Sequence, residues 1–233
     1  MLHWRSEPAT AKIVPFANAR REFDAAKSIG DILDTMGFST KFARNAEIFA
    51  ENDRADHIYK VESGAVRVCK LMSDGRRQIG AFYLPGDLFG LESDQVHDFS
   101  AEAIGDCVVR VVRRSVILAE APFQARMVNQ LWAQTMAHLQ RAQQHILLLG
   151  RKCAQERIAT FLLDMAARLS RGGDMELPMT RQDIADYLGL TIETVSRTLV
   201  QLERDGLIAI PASRRIVLRD RAALDVMNDS LAA

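Results

Sequence analysis

A single long helix divides this sequence into two unlike parts. From Pro122 to Leu149 the chain contains no glycine and no further proline, and its apolar residues recur every three or four positions. About 28 helical residues span roughly 42 Å, which is longer than one small domain can cover. We therefore expect part of this apolar stripe to pack against a second copy of the chain, rather than wholly on its own domain. The predicted dimer contacts are Val128, Leu131, Trp132, Met136, Leu139 and Ile146.

The region before this helix has the pattern of short strands separated by glycine turns. Apolar and polar residues alternate over Val66–Leu71, which predicts a half-buried strand. Ser73-Asp74-Gly75 follows as a hairpin turn, and the apolar run Val108–Val112 closes the region. This pattern predicts a small antiparallel β-barrel or jelly roll over residues 29–114. A short helix from about Ile29 to Phe42 is expected at its start.

The region after the long helix predicts a compact helical domain. Ala154–Leu169 is a second amphipathic helix, and a hairpin is expected over Leu207–Ile210 and Ile216–Leu218. The whole chain is therefore predicted to be an α+β protein. Its four expected segments are an N-terminal tail (1–28), a β-roll domain (29–114), a dimerisation helix (115–150) and a C-terminal helical domain (151–233).

The most informative segment runs from Thr180 to Leu199. Thr180 is a good N-cap, and Asp183 stands three residues later, close to a capping-box pattern. Gly189 supplies a turn, and Thr191 caps a second helix. Two short helices joined by a glycine turn predict a helix-turn-helix, whose second helix enters the major groove of DNA. The hairpin that follows makes this a predicted winged helix-turn-helix.

The exposed face of that second helix carries base-reading chemistry. Glu193, Ser196 and Arg197 lie at i, i+3 and i+4, opposite the apolar Val195 and Leu199. Arginine can bind O6 and N7 of guanine, glutamate can accept from N4 of cytosine, and serine bonds either way. The alternative is a solvated surface helix with an internal Glu193–Arg197 ion pair. The predicted base-reading residues are Ile192, Glu193, Ser196 and Arg197.

Basic and hydroxyl side chains around these helices predict contacts with the phosphate backbone. The predicted phosphate contacts are Thr180, Arg181, Thr191, Thr194, Arg214 and Arg215, of which the last two lie at the tip of the hairpin. The net charge of the C-terminal region argues against DNA binding, because residues 152–233 hold eleven basic and twelve acidic side chains, a net charge of −1. The basic groups nevertheless fall where contact with DNA is expected.

Composition limits the remaining classes of protein. Thirty basic and thirty acidic side chains cancel, which excludes a polycation that coats nucleic acid without specificity. No apolar run approaches the roughly 18 residues of a membrane span. Arg5, Glu7 and Lys12 interrupt any signal-peptide core. We therefore expect a cytoplasmic protein with no membrane partner.

The three cysteines leave two interpretations open. Cys69, Cys107 and Cys153 form no Cys-x-x-Cys motif and cannot pair off completely. They are either small buried residues in a reducing compartment or redox-sensing thiols. The second interpretation requires a lowered thiol pKa.

These motifs together resemble the CRP/FNR superfamily of bacterial transcription regulators, and most closely its FixK-type branch. Glu193-Thr-Val-Ser-Arg197 resembles the E-x-x-S-R recognition helix of the family. Leu84–Gly90 resembles the glycine-rich turn of its sensor barrel, and Ala154–Arg157 resembles the start of its DNA domain. The resemblance implies a homodimer that binds double-stranded DNA at a palindrome of TTGA-type half-sites and recruits RNA polymerase. It also implies base-reading roles for Glu193, Ser196 and Arg197.

Departures from the family pattern narrow the control mechanism. Cyclic-nucleotide-binding relatives clamp the cyclic phosphate with an arginine, but here Phe99-Ser100-Ala101 stands at that place and Leu91 follows Gly90. Iron–sulfur relatives need an N-terminal cluster of cysteines, and residues 1–68 contain none. A haem would have only lone histidines, His57 or His97, as axial ligands.

A metal-dependent barrel enzyme is the alternative from a different class. Its chemistry needs clustered ligands such as an H-x-H pair, whereas the histidines near this barrel are isolated. The sequence therefore predicts a transcription activator with no cofactor and no enzyme activity, which works without a bound effector. The second hypothesis is the same DNA reader gated by a small effector or by cysteine oxidation.

Overall fold

The computed structural model describes residues 29–92, 95–120, 125–151, 153–169 and 173–229. These ranges contain a β-sheet region, one long helix, and a helical region with a small sheet, in that order. The α+β architecture predicted from the sequence is therefore confirmed. The predicted N-terminal tail lies outside the described residues.

The first helix is shorter than predicted. Helix α1 spans Ile29–Met36, and the chain then turns into strand β1, Phe38–Phe42. The prediction of a helix up to Phe42 is therefore wrong beyond Met36. Gly37 makes the turn in a crowded place, because a Cβ there would lie 2.5 Å from the carbonyl oxygen of Leu33. β1 pairs with the last strand of the region, β8, Cys107–Arg113.

Eight strands form two antiparallel four-stranded sheets. Between β1 and β8 lie β2 (Glu47–Phe49), β3 (His57–Ser63), β4 (Val66–Leu71), β5 (Arg77–Tyr83), β6 (Leu88–Phe89) and β7 (Ser100–Ala103). The strand orders are β1-β8-β3-β6 and β2-β7-β4-β5. The two sheets form a jelly roll, as predicted, and not the closed barrel that was offered with it.

The predicted hairpin joins β4 to β5. Gly75 has a φ of 84°, and the carboxylate of Asp74 accepts a hydrogen bond from the backbone N–H of Arg76 at 3.0 Å. Leu71 pairs with Arg77 across the turn. β5 is the outer strand of its sheet, so its free edge and outer face are available to another part of the chain.

The long helix follows the jelly roll. A short helix α2 (Arg114–Glu120) comes first, and α3 runs over Ala125–Arg151, one residue beyond Gly150, where the sequence analysis ended it. Met127 and Leu148 of α3 are buried against the same chain. The other side of α3 carries large exposed apolar side chains.

The C-terminal region contains the predicted helices and one strand that was not predicted. Its elements are α4 (Ala154–Leu169), β9 (Asp174–Glu176), α5 (Arg181–Leu188), α6 (Ile192–Arg204), β10 (Ile208–Ala212), β11 (Arg215–Leu218) and α7 (Arg221–Asp229). The small sheet has the order β10-β11-β9. β9 was not predicted, because three residues are too few to show alternation.

One apolar core joins the jelly roll to the C-terminal region. Ile79 and Phe82 of β5 belong to the same buried cluster as Phe161 of α4 and Leu188 of α5. The rings of Phe82 and Tyr187 lie 5.1 Å apart, centre to centre. The helix-turn-helix is therefore docked on β5 by apolar contacts as well as by its chain connection.

Candidate nucleic-acid interface

The first helix of the helix-turn-helix begins at a complete capping box. Thr180 Oγ1 accepts a hydrogen bond from the backbone N–H of Asp183 at 3.1 Å. In return, Oδ2 of Asp183 accepts from the backbone N–H of Thr180 at 2.9 Å. α5 ends at Gly189, which adopts the left-handed conformation with a φ of 61°. The sequence predicted both ends of this helix.

The second helix presents the predicted face to solvent. Thr191 caps α6 by accepting from the N–H of Thr194, while Val195 and Leu199 are buried beneath it. Exposed positions on the opposite side include Glu193 and Arg197. Within the described ranges neither of these two side chains takes part in an ion pair. The structure therefore leaves both charged groups available to a ligand.

The other two predicted base-reading residues lie on the same helix with different exposure. Ile192 is 38% exposed, and Ser196 is half-buried. Both stand within the first two turns of α6, which is the part of a recognition helix that contacts base edges.

The hairpin β10–β11 forms the predicted wing, but both of its arginines are engaged. Arg214 lies in the turn, and its Nη1 donates to the carbonyl oxygen of Pro178 at 3.3 Å. Arg215 Nε donates to the carboxylate of Asp174 on β9 at 3.0 Å. A phosphate would therefore have to compete with a local acceptor for either side chain.

Arg181 stands at the entrance between the wing and α5. Burial lowers its pKa from the ordinary arginine value, and Glu203 of α6 opposes this change. Its Nη1 is enclosed and has no hydrogen-bond partner among the described residues. A cleft lined by Thr180, Arg181, Ser213 and Arg214 runs along this side of the helix-turn-helix.

Two family profiles match the chain in agreement with this architecture. One is described as a Crp-like helix-turn-helix domain and matches residues 156–227, and the other is a cyclic nucleotide-binding domain that matches residues 39–120. The chain is also 52% identical over 206 residues to the nitrogen fixation regulation protein FixK of Azorhizobium caulinodans, across 86% of this chain and 83% of that protein. The chain belongs to the CRP/FNR family.

Further comparisons agree with its place near FixK. This CRP/FNR protein is 45% identical to FixK of Rhizobium meliloti, across 78% of this chain and 79% of that protein. The solved structure of FixK2 from Bradyrhizobium japonicum matches with a TM-score of 0.80 and 50% identity, covering 83% of this chain and 98% of that one. The protein is therefore a DNA-binding transcription regulator of the FixK type, and the enzyme alternative is set aside.

The exposed apolar side of α3 contains most of the predicted dimer contacts of this CRP/FNR protein. Trp132 is 66% exposed and Ile146 is 70% exposed, and Val128, Met136 and Leu139 share the open side. Leu131 differs, because it is half-buried against the cluster formed by α1, β3 and β8 of its own chain. That residue belongs to the inward side of the helix.

Aromatic rings fill the interior of the jelly roll. Phe49, Tyr59 and Phe89 pack together, and the fully buried ring of His97 stacks on Phe49 with 3.6 Å between ring centres. Burial raises the pKa of Tyr59 to about 12. Ser100, which the sequence resemblance assigned to the place of the phosphate-binding segment, accepts a hydrogen bond from the backbone N–H of Glu51 at 2.9 Å.

The three cysteines have two kinds of surroundings. Cys69 and Cys107 are buried, and burial raises the pKa of each thiol to about 11. A raised thiol pKa opposes thiolate chemistry at neutral pH. Cys153 is exposed between α3 and α4, and a redox role for it stays a prediction.

The described residues contain neither a metal-binding cluster nor a membrane-spanning helix. Among them, no three His, Cys, Asp or Glu side chains come together in a way that could hold a metal ion. No helix in the described ranges is long and apolar enough to cross a membrane.

A group of charged residues between the two domains was not predicted from the sequence. Arg67 and Arg77 of the jelly roll bind Asp183 and Asp186 of α5. Asp183 was assigned only a capping role, because its partners are more than a hundred positions away in the sequence. Arg67 stands at a polar position of the alternating β4 pattern, so nothing in the sequence marked it as a buried contact.

Proposed function

We propose that this regulator is a homodimeric activator that binds palindromic TTGA-type half-sites through α6 and needs no small-molecule effector. The observation that carries the proposal is the exposed Glu193–Arg197 face on a capped, well-packed recognition helix. Arginine and glutamate at this spacing suit guanine and cytosine in neighbouring base pairs. Ile192 and Ser196 are the proposed further base contacts.

Contacts with phosphate would place this face in the groove. Thr180, Thr191 and Thr194 stand at the two helix N-termini, where backbone N–H groups and the helix dipole favour an anion. Arg214 and Arg215 are proposed to leave their local acceptors for phosphate oxygens, and Arg181 is proposed to donate its unpartnered Nη1 to one. The near-zero charge of the domain implies that few phosphates are neutralised, so binding should depend on base contacts more than is usual.

Dimerisation is proposed to occur through the exposed side of α3. Val128, Trp132, Met136, Leu139 and Ile146 offer an apolar surface that water would otherwise cover. A symmetric pair of helices also explains a two-fold palindrome. We place the dimer in the cytoplasm, with RNA polymerase as the partner of the DNA-bound form.

The packing inside the jelly roll supports the proposal that the protein needs no effector. The aromatic rings and the His97 ring occupy the space between the sheets, and no arginine follows β6 at the position where relatives clamp a cyclic phosphate. A buried phosphate requires such a cation. Control through protein abundance is therefore favoured over control by a ligand.

Fluorescence anisotropy on a TTGA-N6-TCAA duplex tests this proposal. The protein is purified aerobically, no effector is added, and the salt concentration is fixed because it alters affinity steeply. Tight binding that is lost on a scrambled duplex and by Glu193→Ala supports the proposal. Equal affinity for both duplexes from a folded dimer contradicts it and favours gating by an effector or by oxidation of Cys153.

A further inference from the structure

Two arginines of the jelly roll reach across to the helix-turn-helix. Nη1 of Arg67 on β4 lies 2.9 Å from Oδ1 of Asp183, and Nη2 of Arg77 on β5 lies 2.9 Å from the same oxygen. Nη2 of Arg77 is also 2.8 Å from Oδ2 of Asp186. Both aspartates belong to α5. We call Arg67, Arg77, Glu102, Asp183 and Asp186 the interdomain clamp.

The centre of the interdomain clamp is shielded from water. The side chain of Arg67 is 7% exposed and that of Asp183 is 2% exposed. An exposed ion pair contributes little to stability, whereas a buried charge that loses its partner is strongly destabilising. Movement of α5 away from β5 would leave such charges on both sides, so the docked position is the favoured one.

The jelly-roll side of the interdomain clamp is held in a fixed geometry. Nε of Arg67 donates to Glu102 Oε2 at 2.8 Å, and Nη2 donates to Asn45 Oδ1 at 3.1 Å. Glu102 lies on β7 directly opposite Arg67 in the β4–β7 register. The guanidinium therefore has acceptors on several sides and presents its remaining donor to Asp183 in one direction.

The other side of the interdomain clamp is the start of the helix-turn-helix itself. Asp183 uses Oδ2 to close the capping box with Thr180 and uses Oδ1 to bind both arginines. α5 is followed by the Gly189 turn and then by α6, which packs on it. Fixing the first turn of α5 therefore fixes the direction of the recognition helix.

The docked position leaves the DNA-reading face open. Glu193 and Arg197 stay exposed while the interdomain clamp is closed. The contact surface on α5 is thus separate from the reading face on α6. The clamp holds the recognition helix outward and does not mask it.

We propose that Arg67 and Arg77 are positioning residues that hold the two recognition helices of the dimer at the separation and angle required by a palindrome. This inference rests on the proposed dimeric function. Half-sites lie about one helical turn apart, roughly 34 Å, so both helices must enter the groove from a set geometry. When one half-site is bound, a fixed partner helix faces the second at high effective concentration, and a loosely attached one does not.

Arg77→Glu is the variant that tests the proposal. It places a carboxylate against Asp183, Asp186 and Glu102, and the 24% exposed side chain of Arg77 lies among charged groups rather than in the buried apolar cluster. Arg77→Gln replaces it if the charge reversal prevents folding. Arg76→Glu is the matched control, because Arg76 is the neighbouring residue and, within the described ranges, forms its ion pair with Asp74 of its own hairpin and not with α5. Arg77→Lys keeps the charge and is expected to recover most of the function.

Affinities are measured on a palindrome, on a single half-site, and on palindromes whose spacer is two base pairs shorter or longer. We expect Arg77→Glu to lose about tenfold or more on the palindrome, with half-site affinity unchanged and the preference among spacers reduced. Arg76→Glu should behave as wild type. Equal losses on palindrome and half-site, or an unchanged spacer preference, would overturn the positioning role.

A readout without DNA separates this inference from the proposed function. Amide hydrogen exchange in β5 and α5 should become faster in Arg77→Glu than in Arg76→Glu, because the domains separate more often. Unchanged exchange refutes the clamp whatever DNA the protein binds. A wild type that treats palindrome and half-site alike refutes the dimeric function, and faster exchange in the variant would then still support the clamp.

Discussion

Arg197 lies near the centre of the recognition helix, and among the described residues its guanidinium has no ion-pair partner. We expect Arg197→Ala to lose about 1–3 kcal/mol of binding free energy and to relax base preference at one position of the half-site. Arg204→Ala is the control, because it removes the same charge two turns further along α6. Anisotropy with single-base variants of the duplex measures both effects. A uniform loss on every duplex would instead identify Arg197 as a phosphate contact.

His145 links α3 to α5, and its surroundings predict that stability depends on pH. Its Nε2–H donates to the carbonyl oxygen of Tyr187 at 2.8 Å, and its ring stacks on that tyrosine with 4.1 Å between centres. Burial lowers the pKa of His145 below 6.5. Below pH 6.5 the unfolded chain therefore takes up a proton that the folded chain resists, and the free energy of unfolding falls.

His145→Gln tests this pH effect, because glutamine can still donate to the Tyr187 carbonyl but cannot titrate. Urea unfolding is measured above and below pH 6.5 in wild type and variant. We expect the variant to lose less stability on acidification than wild type. Equal losses would mean that the folded state accepts the proton at no cost.

Helices and strands whose ends are set by nearby residues were predicted correctly from the sequence. Thr180, Asp183 and Gly189 act within a few residues of one another, and the helix that they delimit was predicted from them alone. β1 was assigned to a helix, because its strand character comes from pairing with the distant β8. Propensity and periodicity carry no information about such a partner.

The capping box of α5 is expected to contribute to the stability of the fold. Thr180→Ala removes the acceptor for the N–H of Asp183 and the hydroxyl that donates to its carboxylate at 2.7 Å. We expect a loss of about 1 kcal/mol in the free energy of unfolding, measured by urea denaturation. Ser213→Ala in the wing turn is the comparison and should change stability by much less. No difference between the two would show that α5 is held by its packing alone.

In the whole molecule, one side of α3 packs on its own chain and the other side is exposed. Met127, Leu131, Leu148 and Leu149 pack inward, whereas the exposed apolar residues of the outward side are Val128, Trp132, Met136, Leu139 and Ile146. The sequence placed Leu131 with the outward group because one broad stripe contains both sides. Packing between distant segments decides which side of the stripe meets the jelly roll, and it also forms the interdomain clamp. Neither could therefore be predicted from the sequence.

Leu139 lies in the middle of the outward side of α3. A carboxylate at this position would be buried without a partner if two α3 helices meet there, so Leu139→Glu should yield monomers. Gln140→Glu adds the same charge at the next, also exposed, position and should leave the dimer intact. Light scattering measures the mass, and anisotropy measures binding to the palindrome.

Loss of the dimer should cost the palindrome its advantage over a single half-site, because the two recognition helices are then no longer linked. Each monomer keeps its capped α6 and its interdomain clamp, so half-site affinity should survive in Leu139→Glu. Both Leu139→Glu and Arg77→Glu should lose the higher affinity for the palindrome. Leu139→Glu loses it because it is a monomer, whereas Arg77→Glu should lose it while it remains a dimer. A folded Leu139→Glu monomer with full affinity for the palindrome would exclude α3 as the dimer interface.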